Sequence, residues 1–193
     1  MLGVIRPTTE IIGKFTKSRK IGILATNGTV QSGSYLIEIE KFFPDITVYQ
    51  EACPMWVPII ENNEHQQPGA DYFVKKHVQH IMTTDNQIDT LLLACTHYPL
   101  LRDKIVQILP AGVTVVSQGE IVAASLDDYL QRHPELETRC SKHSRRVFFT
   151  TDSTEDFDNH ASIFFGEPVK SKHADLEAEI RKSEKSGSRK SEV

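Results

Sequence analysis

Cysteine is scarce in this chain: 193 residues hold three, Cys53, Cys95 and Cys140, far apart and with no Cys-x-x-Cys pair. An odd, scattered set argues against a disulfide framework, and no close-spaced ligand pair suggests a zinc site. No apolar run approaches the roughly 18 residues of a membrane span. Residues 1–7 lack the charged start, long apolar core and cleavage site of a secretory signal. Charge of neither sign dominates: the net value is −4 with both signs mixed throughout, so there is no broad basic surface for nucleic acid. Neither Gly-x-Gly-x-x-Gly nor a Gly-Lys-Ser/Thr loop occurs, which removes dinucleotide and NTP readings on pattern. The expectation is a cytoplasmic protein with neither a membrane nor a nucleic-acid partner.

What the chain does contain is ordinary globular composition, 39% hydrophobic and 25% charged, arranged in alternating strand and helix patterns. Residues 21–25, 46–51, 88–94 and 113–116 read as apolar strands. Between them lie helical stripes: Tyr35, Ile39, Phe42 and Phe43; then Val74, Val78, Ile81 and Met82; then Leu101, Ile105, Ile108 and Leu109. Such alternation predicts parallel βαβ units with right-handed crossovers. Before them, Pro7, Thr8 and Thr9 resemble a helix start, and Ile12 with Phe15 forms a short apolar stripe. After them come a helix with Val122, Leu126, Tyr129 and Leu130, a polar loop to Ser144, a strand at 147–150, a helix at 155–165 and a strand at 169–173. Glu, Lys, Arg and Ser dominate 177–193, which predicts a disordered charged tail.

Each strand of the first series delivers small or polar residues at its carboxyl end: Thr26, Gly28 and Thr29; Cys53; Cys95, Thr96 and His97; Ser117 and Gly119. In open α/β sheets ligands bind at that edge, so the rim suits a small polar ligand. Residues 26–33 read as a loop able to cradle an anion, or more simply as a tight turn with Ser32 or Ser34 capping the next helix. For Cys95 two readings stay open. It is either an acid/base or nucleophilic thiol, its pKa lowered from about 8.5 by donors of the helix starting near Pro99, or a small buried hydrophobe. The second reading is preferred for Cys140. Glu61, after the apolar 57–60, reads as an exposed helix charge.

The segment Ala94-Cys95-Thr96-His97-Tyr98-Pro99 resembles the second catalytic motif of glutamate racemases, Gly-Cys-Thr-His-Tyr/Phe-Pro, with Ala94 in place of the glycine. Four further segments agree in order and spacing. Residues 3–7 resemble the linker entering that family's second lobe, and 21–32 its first strand and loop. Residues 52–61, Ala-Cys-Pro-Met-Trp-Val-Pro-Ile-Ile-Glu, resemble its Cys-Pro…Val-Pro…Glu segment, and 147–151 the strand returning to the first lobe.

The resemblance implies a cofactor-independent racemase of two α/β lobes that interconverts L- and D-glutamate and supplies D-glutamate for peptidoglycan. One cysteine from each lobe flanks the α-carbon and exchanges its proton. It makes Cys95, His97 and Glu61 catalytic, with Thr96, His97 and Thr29 binding substrate, and requires no metal. An aspartate or hydantoin racemase, or a non-catalytic module binding an acidic amino acid, are the alternatives. The family's Asp-Ser-Gly and Cys-Asn-Thr motifs are missing, so the chain is expected to begin at the interlobe linker, hold one catalytic cysteine and be inactive alone. A homodimer is a candidate assembly. The implied division is 1–19 linker, 20–119 a complete α/β lobe carrying Cys95, 120–176 elements returning to the first lobe, and 177–193 tail. Without their partner strands, the returning elements should expose apolar faces.

Overall fold

The computed structural model describes residues 3–144 and 146–176, so the predicted tail at 177–193 lies outside the described residues. The chain divides into two compact units, with the boundary between Arg139 and Cys140.

The first unit is built on strands β1 (Lys20–Ala25), β2 (Thr47–Ala52), β3 (Thr90–Leu93) and β4 (Thr114–Ser117). All pair in parallel, in the order β2-β1-β3-β4. Helices α1 (Ile5–Thr9), α2 (Asn27–Ser32) and α3 (Ser34–Phe42) precede β2. Helices α4 (Trp56–Glu61) and α5 (Pro68–Thr84) lead to β3, and α6 (Arg102–Ile108) leads to β4. Then follow α7 (Gln118–Arg132) and α8 (Pro134–Glu137).

Alternation along the strands explains the two helix layers. In β1, Ile21, Ile23 and Ala25 face one core with Tyr35 and Ile39 of α3, while Leu24 faces the other. In β3, Leu92 joins the first core, and Leu91 and Leu93 pack with Val74, Val78 and Ile81 of α5. A strand covered on both sides has no polar face to offer, which is why 88–94 reads as a continuous apolar run. The strand order reverses between β1 and β3; Thr26 directly follows β1, and Cys95 lies two residues beyond β3. That crevice is the topological switch point of the sheet.

The second unit contains β5 (Phe148–Thr150), α9 (Thr154–Phe165) and β6 (Ser171–His173), with the two strands parallel. Ser153 caps α9 by accepting the Asp156 N–H, and Gly166 ends it in the left-handed conformation at φ 75°. Phe148 meets Phe165 at a ring separation of 5.5 Å, while Val147, Phe149, Ile163 and Phe164 remain exposed.

Several local expectations change. Residues 26–33 form a short helix rather than a loop: Thr26 is its N-cap, accepting the Thr29 N–H at 3.4 Å. Neither Ser32 nor Ser34 caps a helix, because Gly33, left-handed at φ 60°, is the hinge from which α3 starts. Pro7, Thr8 and Thr9 end α1 instead of opening it, since Ile5 and Arg6 already carry helical geometry and Pro7 is tolerated in a first turn. The polar stretch before Ser144 contains α8, which has Pro134 at its first position. Cys140 is exposed, so it is not the buried hydrophobe expected of an isolated cysteine.

Candidate active site

Cys95 sits two residues beyond β3. Ala94 is still tied to the sheet, its N–H donating to Leu24 O at 2.9 Å. The chain then turns through a 3₁₀ turn, Tyr98–Leu101, which Pro99 initiates. The thiol is half-buried and packs at the edge of the α5-side core. Its Sγ lies 3.9 Å from His97 Nδ1, and Thr96 Oγ1 lies 3.4 Å from the same nitrogen. On the other side of the ring, Nε2 is 3.2 Å from Glu61 Oε1.

This order of contacts dictates the proton inventory. A carboxylate only accepts, so the imidazole proton belongs on Nε2 facing Glu61, and in the neutral ring Nδ1 is left as an acceptor towards the thiol. The arrangement can therefore take a proton from Cys95 and return it. Glu61 is the last residue of α4, with a side chain 51% exposed. It is both the exposed helix charge read from its neighbours and the partner of His97.

Burial pushes the Cys95 thiol above its ordinary range. The backbone N–H groups of His97 and Tyr98 favour the thiolate, while the charge of Glu61 opposes it. The lowering expected from a helix start is thus real in sign, but desolvation outweighs it, because a one-turn 3₁₀ segment supplies two donors and little dipole.

Across the crevice, the hydroxyls of Thr26 and Thr29 are 3.0 Å apart. Both are only partly buried and so can meet a polar ligand. Thr96 is exposed beside Cys95. Cys53 is fully buried; its thiol is raised strongly by burial and then by the charge of Glu51. Among the described residues no group of three or more His, Cys, Asp or Glu is placed to hold a metal ion, and no helix is long and apolar enough to cross a membrane.

The structure also brings forward aromatic residues that had no role in the site on sequence alone. Tyr35, one of the α3 stripe, accepts a hydrogen bond from Gln118 Nε2. Burial raises its hydroxyl; Gln118 eases that shift and the charge of Cys95 adds to it. Tyr98 and Trp56 stack edge-on at 4.8 Å. The available signal was chemical, since each carries a polar tip that a buried aromatic must satisfy.

No family model matches the chain. It is 33% identical to glutamate racemase of Lactiplantibacillus plantarum over 180 residues, covering 93% of this chain and 65% of that protein. It is 34% identical to glutamate racemase of Streptococcus uberis, covering 91% of this chain and 66% of that one. Among solved structures, glutamate racemase RacE1 of Bacillus anthracis matches with a TM-score of 0.81 at 33% identity, over 91% of this chain and 64% of that chain. The Francisella tularensis glutamate racemase in complex with D-glutamate matches at 0.75 and 25% identity, over 90% and 62%. The chain thus spans just under two thirds of the length of these relatives. In sequence, and in the parallel sheet that places Cys95 at its switch point, the chain belongs to the glutamate racemase family.

Proposed function

We propose that Cys95 is one of two opposed acid/base groups in a cofactor-independent interconversion of L- and D-glutamate, the step that supplies D-glutamate for peptidoglycan in the cytoplasm. As thiolate, Cys95 takes the α-proton on one face of the substrate, leaving the electron pair of the C–H bond on the α-carbon. A second thiol delivers its proton to the opposite face, and the centre inverts. In the reverse direction Cys95 is the donor. His97 exchanges the proton with Cys95, Glu61 holds the ring, and Thr29 and Thr96 bind the substrate's charged groups. The carbanion is poorly stabilised without an electron sink, so two facing groups in a preorganised site are required.

The observation that carries the reading is the contact series Cys95 Sγ, His97 and Glu61 at the switch point, 3.9 Å and 3.2 Å long. Further support comes from relatives named as glutamate racemases and from the D-glutamate complex of one of them. Within residues 20–119 the only other cysteine is Cys53, fully buried with its thiol held protonated, and it cannot oppose Cys95. The opposing thiol therefore comes from beyond that lobe: residues 120–176 belong with a first lobe that completes the site, or a second copy of the chain supplies it.

The test is proton exchange. The isolated chain, incubated with L- or D-glutamate in deuterium oxide, is expected to give no inversion, since a two-base reaction has one base. Calorimetry is expected to detect weak glutamate binding that Thr29→Ala reduces. Inversion that survives Cys95→Ala would overturn the reading. Inversion abolished by Cys95→Ala would keep the role of Cys95 and overturn the inactivity of the chain alone.

A further inference from the structure

Glu61 is half exposed, and a solvent-screened ion pair of this kind contributes at most about 1 kcal/mol. Such a contact does not hold a helix in place, so something else must set α4 against His97. The Cys53 peptide is the fixed point from which α4 departs. Its N–H donates to Ala25 O at 2.8 Å, extending the β1–β2 ladder, and its carbonyl accepts the Trp56 N–H at 3.2 Å, opening the first turn of α4. The second lone pair of that carbonyl accepts the Tyr98 hydroxyl at 3.1 Å. Tyr98 is fully buried and adjoins His97 in sequence. Its ring meets Trp56 edge-on at 4.8 Å, and the Trp56 indole N–H is fixed to Phe73 O of α5 at 3.2 Å. The contacts close a circuit: Tyr98 to Cys53, Cys53 to Trp56, along α4 to Glu61, from Glu61 to His97, and back to Tyr98.

We infer that Tyr98 is a positioning residue: through its bond to the Cys53 carbonyl it holds α4 in the place from which Glu61 reaches His97, and so sets the proton exchange of Cys95. This rests on the reading of Cys95 as an acid/base group, but it is tested on thiol reactivity, which needs no turnover. The groups that act electrostatically on Cys95 are His97 and Tyr98 of its own loop, Glu61 of α4, Cys53 beyond β2 and Tyr35 of α3. Of these, Tyr35 lies outside the circuit, Tyr98 and Cys53 form its fixed end, and Glu61 and His97 are the groups whose placement it sets.

The experiment follows alkylation of Cys95 by iodoacetamide in the full chain from pH 6 to 10, read on the Cys95 peptide by mass spectrometry. Tyr98→Phe keeps the ring and removes the hydroxyl. At pH 7.5 it is expected to slow alkylation about three- to tenfold, the worth of one net hydrogen bond, and Glu61→Gln by a similar factor, because loosening the His97 ring outweighs the relief of a half-exposed, solvent-screened charge that disfavours the thiolate. The double variant should be no slower than the slower single one, because both break the same circuit. At pH values above the raised pKa of the thiol, where Cys95 is already thiolate, the variants should converge on the original rate. A merely structural role for Tyr98 gives a different result: equal slowing at every pH, or slowing that multiplies with that of Glu61→Gln. Either outcome overturns the inference, as does an unchanged rate in either single variant. If Tyr98→Phe does not fold, Trp56→Phe loosens the same start of α4, and the same comparison with Glu61→Gln decides. Reactivity that follows this pattern in a chain that never exchanges the glutamate α-proton would leave the positioning role standing and remove only the racemase assignment.

Discussion

Glu61 Oε1 lies 3.2 Å from His97 Nε2, and the opposite nitrogen of that ring faces the Cys95 thiol at 3.9 Å. One tautomer satisfies both contacts, and it makes the imidazole an acceptor for the thiol proton. His97→Asn removes the acceptor while leaving a polar side chain. Alkylation of Cys95 at pH 7 is expected to fall roughly tenfold, below the usual range for a positioned base because the sulfur contact is long. Peptide-resolved labelling measures it, and an unchanged rate would detach His97 from the thiol.

Burial is the largest influence on Cys95 and raises its pKa, so its labelling midpoint should lie above the 8.5 or so of an ordinary thiol. The linkage has a definite sign. With the folded value above the unfolded one, the thiol's contribution to stability is complete below about pH 8.5 and is lost as pH rises through the folded value. Chemical denaturation at pH 7, 9 and 10 should therefore show a decline that is shallower in Cys95→Ala. Cys53, at zero exposure, is expected to label only when the chain unfolds and serves as the internal control.

What the sequence made legible followed from burial. Residues 88–94 are apolar because β3 is covered on both faces, and the stripe Val74, Val78, Ile81 exists because α5 lies on that sheet. The site was legible as a list, since the motif around Cys95 names its members. Their connection was not, because it depends on a long-range bond between Tyr98 and the backbone of Cys53, and no side-chain pattern encodes a carbonyl. The helix at 27–32 was hidden for a related reason: Gly28, Thr29 and Ser32 are poor helix formers, and the Thr26 cap with its hydroxyl pair offsets their propensity.

Asp89 anchors the entry to the sheet. One oxygen accepts the Lys17 and Ser18 N–H groups, both at 2.7 Å, and the other accepts the Thr90 hydroxyl at 3.0 Å. Burial acts to raise this carboxyl, but hydrogen bonds from Thr16, Ser18, Lys17 and Thr90 outweigh it and bring it down to about 2. Its contribution is present above the unfolded value of about 3.9 and is lost as pH falls towards 2. Asp89→Asn is expected to cost roughly 1–2 kcal/mol at pH 7 and to flatten the acid limb of a stability-versus-pH curve between about pH 4 and 2. An acid limb identical to that of the parent would exclude Asp89 as its source.

Gly22, in the middle of β1, faces Leu91 of β3 and Ile81 of α5. A Cβ there would stand 2.5 Å from Leu91 Cδ2 and 2.7 Å from Ile81 Cδ1. Side-chain ends of this kind would move aside on a surface, but Leu91 is fully buried and Ile81 is 2% exposed, so the surrounding core leaves them little room. Gly22→Ala is expected to cost about 1–3 kcal/mol as overpacking, read as a lower denaturation midpoint at unchanged m-value. If the clash is the cause, shortening the opposing side chain relieves it: Gly22→Ala with Ile81→Val should be more stable than the sum of the two separate losses. Additive losses would place the cost in the strand backbone, and the close approach of α5 would then not be what reserves this position for glycine.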